Sequence, residues 1–108
     1  MSCENCNSPR IGNIGVKFLV TIKDQDCSVI DISTASLKRL YFKAPDNTIS
    51  YFSATFQTDG TDGEIYYITS NSSDLNIAGV WQIQAYVEIG TAKLFSNIGK
   101  FNVEENLI

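Results

Sequence analysis

Gly79-Val80-Trp81-Gln82-Ile83-Gln84-Ala85-Tyr86-Val87-Glu88-Ile89 is the stretch whose reading decides the fold. Trp81, Ile83, Ala85, Val87 and Ile89 recur at period two, and Gln82, Gln84, Tyr86 and Glu88 fill the alternate positions. That alternation is the mark of a strand with one face against a core and one toward polar surroundings. The chain's single tryptophan opens the apolar row.

The same period appears on both sides of this stretch. Upstream, Val16, Phe18, Val20 and Ile22 alternate with Lys17, Leu19, Thr21 and Lys23, and Asp24-Gln25-Asp26 is the turn that follows. Val29-Ile30-Asp31-Ile32 reads as a short strand or edge segment. Lys38 to Ala44 places Leu40, Phe42 and Ala44 on one face and Arg39, Tyr41 and Lys43 on the other. Across the turn Pro45-Asp46-Asn47-Thr48, the strand 49–57 should return antiparallel, with Ser50, Phe52, Ala54 and Phe56 as its more apolar row. Thr58-Asp59-Gly60-Thr61-Asp62-Gly63-Glu64 is the strongest loop signal, and Ile65 to Thr69 is the next strand.

Residues 70–79 read as a crossover with a short helical turn, capped by Ser72, Ser73 or Asp74, running through Asn76 and ending near Gly79. After the central strand, residues 93–103 give the last one, with Gly99 as its point of interruption. The expected core comprises Phe18, Val20, Leu40, Phe42, Trp81, Ile83, Val87, Phe101 and Val103. Seven or eight short strands without a long amphipathic helix predict an all-β, immunoglobulin-like two-sheet β-sandwich. The cysteine-tryptophan-cysteine arrangement of an antibody domain is missing from the sequence.

With 108 residues the chain suffices for one domain, and 44% hydrophobic residues provide a core. The expected organisation is an N-terminal arm over 1–9, a sandwich over 10–104 and a C-terminal tail over 105–108. The arm has few apolar side chains and is expected to order against something else. Eight basic and twelve acidic side chains give a formal charge of −4, which disfavours a general phosphate-binding role. Residues 1–54 carry six basic and five acidic groups, residues 55–108 two and seven. Such asymmetry can orient neighbouring subunits.

The chemistry-bearing residues form no catalytic set. Histidine is absent, which removes the commonest neutral-pH base and metal ligand. Cys3-Glu4-Asn5-Cys6 is a CxxC pair, and Cys27 makes the cysteine count odd. An incidental thiol or intramolecular disulfide is the favoured reading, with a shared metal site or a redox pair as alternatives. Three cysteines fall short of the four ligands of structural zinc, and no βαβ unit frames a redox motif. Asp59, Asp62, Glu64 and Asp74 lie in loops, where solvated turn carboxylates are expected rather than an acid/base pair. The Asp-Gly loop lacks the spacing of an EF-hand, so a structural turn is favoured over a weak cation site.

Lys38-Arg39, Tyr41 and Lys43 interleave basic and aromatic side chains. On an acidic chain, so short a cluster reads as a solvated or subunit-facing strand face rather than a nucleic-acid patch. Asn71-Ser72-Ser73 matches a glycosylation acceptor, without a secretory signal to give it weight. No apolar span long enough for a membrane helix is present. No cofactor, catalytic residue or resident metal is expected, nor direct binding to nucleic acid or membrane.

Five fragments in order carry a family resemblance: Ile14 to Phe18, Val29 to Ser33, Phe42 to Asp46, Thr58 to Gly63 and Asp74 to Ala85. Together they resemble the immunoglobulin-like modules of tailed-phage structural proteins, closest to the N-terminal module of baseplate upper proteins, over about residues 12–104. The resemblance implies a noncatalytic virion component made in the host cytoplasm. It would be present in multiple copies and join other phage structural proteins as a tail or baseplate adaptor. Because the sequence ends soon after the sandwich, without the receptor-binding part of larger relatives, capsid decoration stays in contention. The expected interface comprises Cys3, Cys6, Arg39, Tyr41 and Lys43. A carbohydrate-binding role, with Tyr41, Tyr51, Tyr66 or Tyr86 as a stacking platform, is the remaining alternative.

Overall fold

A computed structural model of the chain describes residues 9–105. Eight strands follow one another in the order β1 (Lys17–Thr21), β2 (Leu37–Lys43), β3 (Ile49–Ser53), β4 (Thr55–Phe56), β5 (Glu64–Ile68), β6 (Gly79–Ile89), β7 (Ala92–Phe95) and β8 (Gly99–Val103). Every pairing between these strands is antiparallel. One sheet runs β1-β5-β4, and the other runs β3-β2-β6 with both β7 and β8 beside β6. The chain is an all-β, immunoglobulin-like two-sheet sandwich, as the alternation predicts.

Strand β6 organises the larger sheet because its eleven residues serve three partners. Seven of them carry β2 on one side, from Lys43 opposite Gln82 to Leu37 opposite Glu88. On the other side its first half pairs β8 and its second half pairs β7. Phe95 stands opposite Tyr86 whereas Gly99 stands opposite Ile83, so the register slips by one residue between β7 and β8. That slip is a bulge at Ser96–Ile98, not an interruption at Gly99. Ser96 fills the gap: the Ala85 amide donates to its Oγ at 2.8 Å, and the Ser96 hydroxyl donates to the Asn97 carbonyl at 2.9 Å.

The apolar rows meet between the sheets. Leu40, Phe42, Trp81, Ala85, Val87 and Val103 of the larger sheet are buried, as are Ile65 of β5 and Ile22 just beyond β1. Phe18, Val20, Ile83 and Phe101 are half-buried and pack against that cluster. Rings bridge the layers: Phe18 lies 5.2 Å from Phe42 and 4.7 Å from Phe101, and Phe52 stacks on Tyr67 at 4.4 Å. Trp81 stays dry because its Nε1 donates to the Ile77 carbonyl at 2.8 Å. Each fully buried large side chain contributes about 1.5–3 kcal/mol relative to exposure.

Several local expectations change. The strand expected over 49–57 is divided between the two sheets, since β3 pairs with β2 and β4 pairs with β5. Ala54, buried at the crossing, donates its amide to the Lys38 carbonyl at 3.1 Å. Its small side chain lets the backbone pass between layers. No strand forms over 29–32: Val29 has a single bridge to Lys23, and Ile32 is buried as a loop anchor. The helical turn expected after Ser70 is a non-helical turn, with the Asp74 amide on the Asn71 carbonyl and the Ser73 amide on the Asn71 side chain. Tyr86, expected on a polar row, is only 8% exposed. Residues 9–11 lie parallel to the end of β8, through a bridge of Arg10 to Glu104.

Candidate functional site

Strand pairing assembles one face that neither sheet covers. In register across the larger sheet, Tyr51 stands opposite Tyr41, Tyr41 opposite Gln84, Arg39 opposite Tyr86, and Tyr86 opposite Phe95. Register partners share a face, so these residues form its outer side together with Lys43, Ile49, Val80, Gln82, Glu88, Lys93, Lys100 and Asn102.

Four rings make a row across β3, β2, β6 and β7. Tyr51 to Tyr41 spans 5.5 Å between ring centroids, Tyr41 to Tyr86 spans 6.2 Å and Tyr86 to Phe95 spans 4.8 Å. The middle of the row is low and its ends stand proud: Tyr51 is 52% exposed and Phe95 58%. Ile49 and Val80 are exposed on the same face. A preformed apolar row with protruding rings at its ends suits a partner surface, because rigid aromatics bury much area with little loss of side-chain freedom.

The charges on this face run against those of the chain. Arg39, Lys43, Lys93 and Lys100 are its cations, and its carboxylates among the described residues are Glu88 and Glu104, the latter accepting from the Asn102 side chain at 3.0 Å. The Arg39 guanidinium lies 4.3 Å from the Tyr51 centroid and donates to the Tyr41 hydroxyl at 3.3 Å, which raises its pKa further. Glu88 accepts a short hydrogen bond from the Tyr86 hydroxyl, and this bond, with burial, pushes the Tyr86 phenol up to about 12. Both ends of that pair are thus occupied at neutral pH, and the four cations are left facing outward.

Of the expected interface residues, the fold brings Arg39, Tyr41 and Lys43 onto this one face. Cys3 and Cys6, with the expected arm except Pro9, lie outside the described residues, as does most of the expected tail. Phe95, Tyr51, Lys93 and Lys100 complete the face and were not read as interface residues from sequence. Tyr51 and Lys100 occupy the outward parity of the strands expected from sequence, whereas Lys93 and Phe95 share the parity of Phe101 and Val103 over 93–103 and reach this face only because the bulge shifts the register.

The other chemical candidates dissolve into local structure. Asp59 accepts from the Thr61 hydroxyl at 2.6 Å and the Thr61 amide at 3.0 Å, and those bonds hold its carboxyl below the usual range. Asp31 is lowered in the same way by Ser33. Asp62 accepts the Glu64 amide at 3.1 Å and the Thr58 hydroxyl at 2.9 Å. Asp74 accepts from the Tyr67 hydroxyl at 2.7 Å and the Ser70 amide at 3.1 Å, closing its turn. The lowered carboxyls of Asp31 and Asp59 are poor proton donors or bases at neutral pH. Among the described residues no group of three or more histidine, cysteine or acidic side chains is placed to hold a metal ion. Cys27 is exposed beside a cleft of about 370 Å³ that Leu19, Val20, Ile83, Ile98 and Gly99 help to line.

Fold and face together define an immunoglobulin-like sandwich domain with an open aromatic-basic sheet surface. Comparison with protein-family models and with curated proteins gives no match to this chain.

Proposed function

We propose that this chain is a noncatalytic structural protein of a tailed-phage particle, an adaptor in the tail or baseplate that docks through the outer face of β3-β2-β6-β7. The observation that carries the docking role is the aromatic row, whose exposed ends at Tyr51 and Phe95 lie on a sheet face that no other element of the described chain covers. The phage context rests on the ordered sequence resemblance to immunoglobulin-like virion modules. The particle is then the site of function, and the partners are other phage structural proteins.

A sugar platform is disfavoured by how the rings are used. Arg39 covers one side of Tyr51, Lys17 sits 4.7 Å from the Tyr66 centroid, and Tyr86 is buried beneath its neighbours. A stacked sugar needs a free ring face.

Cryo-electron microscopy of intact particles tests the reading by placing the chain in density and counting its copies. Copies in a ring at the tail or baseplate support the adaptor. Copies spread over the icosahedral shell replace it with decoration of the capsid. Absence from purified particles overturns both.

A further inference from the structure

We infer that the partner of the aromatic-basic face is the acidic pole of a second copy of this chain, so that copies join head to side. The inference rests on the docking-face reading above and names its occupant. Two loops form the pole. The segment 22–33 is laced to 57–64 by the Ile22 amide on the Gly63 carbonyl and the Ile32 amide on the Gly60 carbonyl, both at 2.8 Å. This gathers Asp31, Asp59, Asp62 and Glu64: Asp62 accepts from the Thr58 hydroxyl and the Glu64 amide, and Asp31 and Asp59 are close enough to repel one another.

The face holds four of the chain's eight cations and two of its twelve carboxylates, Glu88 and Glu104, which leaves four cations and ten carboxylates for the rest. A face-to-face pair about a two-fold axis would set Arg39, Lys43, Lys93 and Lys100 against their own equivalents. Like charges across an interface oppose association, so that pairing is disfavoured. Face against pole matches the signs and offers the pole's four carboxylates to the four cations around an apolar row. Because face and pole are different surfaces, the contact is heterologous, and its repetition generates a ring or an open string.

The face sets the strength of the contact. Four strands at their usual spacing, over six or seven residues, cover roughly 400 Å². A stable pairwise complex buries about 800 Å² on each partner. Isolated copies therefore associate weakly and with strong salt dependence, whereas copies held side by side in a particle would engage fully.

Sedimentation equilibrium of the full chain, from micromolar to millimolar concentration in low and high salt, tests this. Expected is a weight-average mass that climbs past a dimer at low salt and falls to the monomer at high salt. Lys43→Glu with Lys93→Glu, and separately Asp31→Lys with Glu64→Lys, should each weaken association roughly tenfold or more. All four substitutions in one chain should restore it. Thermal melts of each variant establish that it is folded. A wild-type monomer throughout, a mass that stops at the dimer, or failure of the fourfold variant to recover association would overturn the inference. If copies are found in particles while the free chain stays monomeric, the docking reading survives and only the choice of partner falls.

Discussion

Tyr86 and Glu88 sit two residues apart on the outer side of β6, and the tyrosine hydroxyl donates to the carboxylate. The bond stabilises the protonated phenol, and burial adds to it, so the Tyr86 pKa rises to about 12. A tyrosine in an unfolded chain titrates near 10. Between these values the folded protein keeps a proton that the unfolded chain has released. The contribution to stability is therefore complete below about pH 10 and is lost as pH rises toward 12. Urea midpoints measured up that range should fall for the wild type and fall less steeply for Tyr86→Phe. Tyr67, also raised by its burial, keeps part of the slope. An alkaline limb unchanged in Tyr86→Phe would refute the assignment.

The two ends of the aromatic row separate docking from folding. Tyr51 and Phe95 are both more than half exposed; Tyr51 touches the Tyr41 ring and the Arg39 guanidinium, and Phe95 touches the Tyr86 ring. Tyr51→Ser and Phe95→Ser should each cost about 1 kcal/mol of stability, the scale of one aromatic pair. Incorporation into particles should drop sharply in the same variants, read by quantifying the chain in purified virions against its level in the lysate. Normal incorporation of the double variant would remove this face from the assembly.

Ser96 stands in for a backbone group at the bulge. Its hydroxyl receives the Ala85 amide in the buried middle of β6, where no water is at hand to replace it. Ser96→Ala leaves that donor unpaired and should cost about 1–3 kcal/mol, seen as a lower denaturation midpoint. Hydrogen exchange of the Ala85 amide should quicken beyond what the global loss of stability explains. Ser96→Thr, which keeps the hydroxyl, should exchange more slowly there than Ser96→Ala.

The sequence was legible where a single strand carries its own signal. Alternation from Trp81 to Ile89 located the central strand, and the parities of Leu40, Phe42, Phe101 and Val103 located the inner rows. Pairing between distant segments was less legible, because register is a property of two strands and periodicity a property of one. Ala54 shows the difference: period two runs unbroken through 49–57, yet the chain changes sheet in the middle. Tyr86 shows it again. Its parity correctly set it on the outer face, but its burial depends on Tyr41 and Phe95, which arrive from other strands. The docking face was half visible for the same reason, since Arg39, Tyr41 and Lys43 share one strand while Tyr51, Phe95, Lys93 and Lys100 do not.

Two glycines with positive φ, one of them in the acidic pole, make a controlled comparison. Gly90 has φ +59° in the two-residue turn between β6 and β7, and a Cβ there would meet nothing within 4 Å. Gly90→Ala should therefore cost only the left-handed penalty of about 1–2 kcal/mol. Gly60 has φ +90°, and a Cβ there would lie 2.7 Å from the Ser33 Cα and 2.9 Å from the Phe56 ring. The ring end can shift, but the Ser33 backbone is tied down. The neighbouring Ile32 amide bonds the Gly60 carbonyl at 2.8 Å, and Ile32 is fully buried. Relief of the clash must separate the two acidic loops or displace a core side chain. Gly60→Ala should consequently lose at least about 2 kcal/mol more than Gly90→Ala, read from their urea midpoints. It should also weaken protection of the Ile32 amide in hydrogen exchange, which Gly90→Ala should leave intact relative to global stability. Equal losses in the two variants would mean that loops 22–33 and 57–64 are not locked together, and the acidic pole would lose its fixed shape.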